Sequence, residues 1–188
     1  MKRITTMLSL CLCASLTACS RPQAELPSPP AVARDIPVDV GTTTVTVKVT
    51  TTNREIVAKY LTSGDQKSPL ACSLLFYALL AKGDIAEAST LSTDPEATAE
   101  KWETYRQRLG ADGFKKEMAA YFTSQNVVLA ELTGGESVML VVKTPDYTAG
   151  QIYVRQEGKW LMAENLKTET GKAFGKILSQ IQDGELTF

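Results

Sequence analysis

Residues 127–143 read Val-Val-Leu-Ala-Glu-Leu-Thr-Gly-Gly-Glu-Ser-Val-Met-Leu-Val-Val-Lys. Two runs rich in β-branched side chains, which suit a pleated surface, are joined by Gly134-Gly135, a pair that admits the positive φ angles of a tight hairpin. The pattern predicts strands over Val127–Leu132 and Ser137–Lys143. Further strands follow at Gln151–Arg155 and Trp160–Ala163, separated by turn chemistry at Pro145–Gly150 and at Glu157-Gly158. Four short strands with turns between successive neighbours describe an antiparallel meander.

Working back from Thr123, the period changes from two to that of a helix. Ser68-Pro69 is a helix cap followed by proline in the first turn, and the helix carries Leu74, Leu75, Ala78 and Leu79 to Gly83. It is apolar nearly all round, as expected of a helix lying deep in a core. Asp84 with Glu87 resembles a capping box for a short second helix to Leu91. Asp94-Pro95 starts a third, with Thr98, Trp102, Tyr105 and Leu109 on one face and Gly110 at its end. Asp112 is read as the cap of a fourth, on which Phe114, Met118, Tyr121 and Phe122 share a face. Beyond the meander, Phe174, Ile177, Leu178 and Ile181 mark a closing amphipathic helix.

Nearer the start, Thr44-Val45-Thr46-Val47-Lys48-Val49-Thr50 alternates with period two and predicts a half-buried strand between Val40 and Thr52. Thr52 or Asn53 is then expected to cap a short helix carrying Ile56, Val57, Tyr60 and Leu61, ended by Gly64. Helices first and an antiparallel sheet second give an α+β fold with helices packed on one face of a curved sheet. About 150 residues suffice for one core, and no internal repeat is visible.

The first 19 residues carry an address. Met1-Lys2-Arg3 is a charged start, Ile4–Leu12 is an apolar run diluted by Thr and Ser, and a small-residue zone leads to Cys19. This is the layout of an export signal, too short for the roughly 20 apolar residues of a spanning helix. Leu16-Thr17-Ala18-Cys19 resembles the bacterial lipobox. The resemblance implies cleavage before Cys19, with diacylglycerol on its sulfur and a further acyl chain on its amine, and two or more chains anchor a protein stably to a bilayer. Ser20 in place of Asp, by resemblance to Gram-negative lipoproteins, implies the periplasmic leaflet of the outer membrane. The expected organisation is a signal peptide over 1–18, a lipidated Cys and proline-rich linker over 19–38, and one α+β domain over 39–188. The linker holds five of the eight prolines and is expected to be an extended spacer, the alternative being a docking segment for a partner.

Composition narrows the chemistry. Of 20 basic residues, Lys2 and Arg3 leave with the leader, which takes the formal net charge from −1 to −3. Without a basic cluster there is no electrostatic footprint for nucleic acid. The chain contains no histidine, which removes the commonest general base, the commonest metal ligand and the nucleophile pairs built on imidazole, so no metal and no cofactor beyond the lipid is expected. Of four cysteines, Cys11 and Cys13 belong to the leader and Cys19 to the lipid. Cys72 is left unpaired and reads as a small apolar residue on a helix face, the alternative being a reactive or metal-binding thiol.

The segment Phe76-Tyr77-Ala78-Leu79-Leu80-Ala81-Lys82-Gly83-Asp84-Ile85-Ala86-Glu87-Ala88, followed by a four-strand meander that ends Gly158-Lys159-Trp160-Leu161, resembles the nuclear transport factor 2-like superfamily. In particular it is similar to small lipoproteins of unknown function in that group. The likeness covers residues 68–166 and implies a cone-like, cystatin-like fold in which the sheet wraps the long helix and leaves a cavity at the open end. It does not settle function, because one fold serves many.

Trp102, Tyr105, Tyr121, Tyr153 and Trp160 are candidate pocket residues, since aromatic side chains combine apolar area with a polar handle. Trp102 and Tyr105 lie one helical turn apart and are expected at the cavity mouth. Asp146 and Glu164 are the acids nearest strand ends that a catalytic reading would use as acid or base. Glu96, Glu100, Lys101 and Glu103, and Lys115-Lys116-Glu117, read as solvated helix faces. The expectation is a membrane-tethered envelope lipoprotein acting without catalysis as a binding module for a protein partner or a small apolar ligand. The alternatives are an immunity or inhibitor lipoprotein directed against a toxin or hydrolase, and a cone-cavity isomerase or hydrolase using a carboxylate base.

Overall fold

A computed structural model of the chain describes residues 32–57, 64–164 and 166–187. The proposed leader, Cys19, most of the linker, and Tyr60 and Leu61 lie outside the described residues. Six strands form one open, wholly antiparallel sheet in sequence order: β1 (Ala33–Val40), β2 (Thr43–Glu55), β3 (Val127–Gly134), β4 (Ser137–Lys143), β5 (Thr148–Gln156) and β6 (Lys159–Ala163). Between β2 and β3 come α1 (Pro69–Lys82), α2 (Ile85–Ser89), α3 (Pro95–Leu109) and α4 (Ala111–Ala119), and α5 (Glu169–Gln182) closes the chain. The α+β class and the curved antiparallel sheet read from the sequence are those of the structure.

The caps explain the helix boundaries. Ser68 Oγ accepts from the Ala71 N–H at 3.1 Å, and Gly83, at φ 86°, donates its N–H to the Leu79 and Leu80 carbonyls. Such a left-handed ending costs glycine little. Asp84 and Asp94 cap α2 and α3 through the N–H groups of Glu87 and Ala97. Asp112 is not a cap: α4 starts at Ala111 with Gly110 in the cap position and no side-chain bond. The Asp112 carboxylate stands in the first turn, where it suits the positive end of the helix dipole.

Two further expectations are corrected. No helix starts at Thr52 or Asn53, because β2 continues to Glu55. Thr51 pairs with Ala130 and Arg54 with Val128, so Thr52 and Asn53 together oppose the single residue Leu129. Asn53 takes φ 44°, a left-handed conformation that Asn tolerates better than most residues, and the result is a bulge that bends the strand. The sheet also starts inside the stretch read as linker. In β1, Pro37 pairs with Thr46 on an edge strand, where the missing N–H can face outward without breaking a ladder.

The helices do not share one face. Successive strand residues point to opposite sides: Val138, Leu140 and Val142 of β4 pack with α1, α2 and α4, whereas Met139 and Val141 join Ala173, Phe174 and Ile177 of α5 and Val47 and Val49 of β2. The closing helix therefore covers the reverse of the sheet. A second bulge at Leu129 adjusts β3 to this arrangement, since Val128 pairs with Val142 and Ala130 with Val141, and so Val128 and Ala130 enter different cores. The sheet edges differ too. The β6 edge is covered by Gln66 and by Leu91–Thr93, with Met162 N–H donating to the Leu91 carbonyl at 2.8 Å. On β1, Lys176 Nζ donates to the Asp39 carbonyl at 2.6 Å.

Candidate functional site

A cleft of about 940 Å³ opens on the helical face of the sheet. One wall is α3, which contributes Lys101, Trp102, Tyr105 and Arg108. The opposite wall is the end of β4, the start of β5 and the turn Thr144–Tyr147, and the depth is closed by Tyr77 of α1, Tyr121 and Gln151.

The aromatic side is held rigidly. Trp102 meets Phe76, Tyr77, Tyr105 and Phe114 edge to face, at centroid separations from 5.9 to 6.3 Å. Such contacts add to what burial alone supplies. The Arg108 guanidinium lies 4.7 Å from the Tyr105 ring centre, and the Tyr105 hydroxyl donates to Glu117 Oε1 at 3.3 Å. Charges of both signs therefore stand at the cleft: Lys101 and Arg108 against Glu117 and Asp146.

The depth is polar and uncharged. Ser73 Oγ donates to Gln151 Oε1 at 2.9 Å, Tyr153 donates to the same oxygen at 3.2 Å, and Gln151 Nε2 donates to Tyr77 at 3.3 Å and to Tyr121 at 3.2 Å. Ser73 Oγ and Tyr121 Oη lie 3.1 Å apart. Strand pairing explains the convergence, because Gln151 faces Leu140 and Tyr153 faces Val138, which places both side chains towards α1. Burial pushes the Tyr121 phenol up to about 12, with its bonds to Ser73 and Gln151 countering in part, and raises Tyr77 and Tyr153 above the ordinary range. All three are neutral hydrogen-bonding groups at physiological pH.

Of the residues singled out in the sequence, Trp102, Tyr105, Tyr121 and Asp146 are in the walls of this cleft. Tyr153 is wholly buried beneath it. Trp160, on β6, lies outside it: it faces Arg155 of β5, donates its backbone N–H to the Gln66 carbonyl and packs against the helical core. Glu164 is exposed and accepts from Lys101 Nζ at 2.8 Å, while Asp146 is an exposed residue of the β4–β5 turn. The cleft also recruits Lys101 and Glu117, which had read as solvated faces. Tyr77 and Gln151 were not singled out at all. For Gln151 a signal existed, since alternation puts it on the same side of its strand as Tyr153.

No protein-family model, curated protein or solved structure compared with the chain matches it. The reading of the site therefore rests on its own chemistry. Cys72 is fully buried on α1, and burial pushes its thiol up to about 12, which suppresses the thiolate that reactivity requires. Among the described residues no group of three or more Cys, Asp or Glu side chains is placed to hold a metal ion, and no helix is long and apolar enough to cross a membrane.

Proposed function

We propose that this chain is a lipid-anchored envelope protein, fixed through Cys19 to the periplasmic leaflet of the outer membrane, whose globular domain is a non-catalytic binding module for a small, largely apolar ligand. The observation that carries this reading is the cleft beside α3: half-open, of ligand size, walled by Trp102 and Tyr105 and closed in depth by uncharged hydroxyl and amide groups. Concave, mostly apolar sites with a few convergent polar groups are the usual form of small-molecule pockets. The carboxylates that a catalytic reading would use are exposed, and Glu164 is engaged by Lys101, which favours binding over acid–base chemistry. The likeness to the nuclear transport factor 2-like superfamily belongs to the same proposal, supported by the meander and by α1 packed along it. A protein partner in the envelope would act on the ligand-loaded domain.

The test is to extract the full-length protein from membranes in mild detergent and weigh it, first under native and then under denaturing conditions. The proposal expects an acylated Cys19 at the first position and a small organic molecule that is lost on denaturation. An unmodified Cys19 would remove the anchor. A cleft that neither retains a molecule nor takes up any neutral aromatic probe would remove the binding role.

A further inference from the structure

Counting protons in the floor of the cleft identifies what the ligand must offer. The Ser73 and Tyr153 hydroxyls donate to Gln151 Oε1 and use its two lone pairs. Tyr121 has two acceptors within reach, Ser73 Oγ at 3.1 Å and Gln151 Oε1 at 3.3 Å, and the two Gln151 amide protons go to Tyr121 and Tyr77. Every proton of the network then has an acceptor except that of Tyr77. Its hydroxyl accepts from Gln151 and donates to no other described residue, although it stands in the wall of the cleft. A donor without an acceptor is costly once water is excluded, so in this arrangement the Tyr77 hydroxyl calls for an acceptor supplied from the cleft.

We propose that the cleft takes an uncharged, ring-bearing molecule with a hydrogen-bond-accepting oxygen, and that Tyr77 reads that oxygen by donating its hydroxyl proton. This rests on the binding role proposed above and adds the ligand class. The ring is required by the walls, where the edges and faces of Trp102 and Tyr105 present apolar aromatic surface. Neutrality is required by the depth, where no cation stands among Ser73, Tyr77, Tyr121, Gln151 and Tyr153 to offset the desolvation of an anion.

The experiment uses the detergent-solubilised full-length protein and three probes of nearly equal shape: 2-acetylnaphthalene, its hydrocarbon counterpart 2-isopropenylnaphthalene, and 2-naphthoate. Affinities are measured calorimetrically for the native chain and for Tyr77→Phe. The ketone is expected to bind about five- to tenfold more tightly than the hydrocarbon, with the naphthoate weakest. In Tyr77→Phe the ratio of ketone to hydrocarbon affinity falls to about one. Ketone and hydrocarbon binding equally in the native chain, or a ketone advantage that survives in Tyr77→Phe, would overturn the assignment of Tyr77 while leaving the cleft a binding site. Naphthoate binding as tightly as the ketone would overturn the uncharged class. Failure of all three to bind would instead count against the binding role itself. Should Tyr77→Phe not fold, the carbonyl stretch of the bound ketone in the native protein decides: a shift to lower frequency relative to alkane solvent supports the hydrogen bond, and an unshifted band refutes it.

Discussion

Tyr77 of α1 and Tyr121, just beyond α4, stack with ring centroids 3.9 Å apart and planes inclined by 17°, and both hydroxyls are served by the Nε2 of Gln151. This pair joins two helices to the middle of the sheet through one amide. The floor of the cleft is thus also a structural joint, and changes to it are expected to register in stability as well as in binding.

Replacing Gln151 by Met keeps the approximate volume but leaves Ser73, Tyr77, Tyr121 and Tyr153 to find new partners. Stranded buried hydroxyls cost about 1–3 kcal/mol each when no water reaches them. A loss of about 3 kcal/mol is expected for Gln151→Met, measured as a fall in urea midpoint at constant m-value. A loss below about 0.5 kcal/mol would show that the amide is not the hub.

Alkaline pH should attack the same joint. The folded-state pKa of Tyr121 is raised from 10.0 to about 12 by burial, and Tyr77 and Tyr153 are raised as well. The unfolded chain therefore releases these protons first. Their contribution is complete below pH 10 and is lost as pH rises from 10 towards 12, at about 1.4 kcal/mol per pH unit for each group. Thermal unfolding followed from pH 8 to 11.5 is expected to show a fall in Tm that starts near pH 10 and is reduced in Tyr121→Phe. Phenolate absorbance from the three inner rings should appear only with unfolding.

How much of this was legible in advance depends on what each residue's signal encodes. The hairpin Val127–Lys143 was plain because turn chemistry and alternation agree locally. The strand at Ala33–Val40 was hidden by Pro37 and its proline-rich neighbours, since composition cannot show that an edge strand leaves the proline nitrogen facing outward. Thr52 and Asn53 are residue types that cap helices, but pairing with β3 decides residues 51–55. Ile177 and Phe174 announced an amphipathic helix, and nothing local says which face of the sheet it covers. Tyr77 was lost in a helix apolar nearly all round, where one hydroxyl gives no periodic signal.

The Cys72 thiol, wholly buried on α1 with its pKa pushed up to about 12, is expected to resist alkylation in the native protein. Iodoacetamide at pH 8 followed by peptide mapping should leave the Cys72 peptide unmodified until denaturant is added. Rapid native labelling would restore the reactive-thiol reading.

Gly171, in the first turn of α5, donates its N–H to the Thr168 hydroxyl at 3.2 Å. A Cβ added there would run into the backbone carbonyl of Leu166, which cannot move aside as a side-chain end can. Gly171→Ala is therefore expected to cost about 1–3 kcal/mol. By contrast Gly175→Ala, where a Cβ meets nothing, should be neutral or slightly stabilising, as helix propensity dictates. Chemical denaturation of the two variants side by side checks both.

The most direct test of a ligand-holding cleft is a titration of the isotopically labelled protein with 2-acetylnaphthalene, followed by nuclear magnetic resonance. The indole N–H of Trp102 and the side-chain amide of Gln151 should shift together and saturate together, while the indole N–H of Trp160, outside the cleft, stays in place. Perturbations confined to Trp160 or to α5, or no saturable shift at all, would contradict the account.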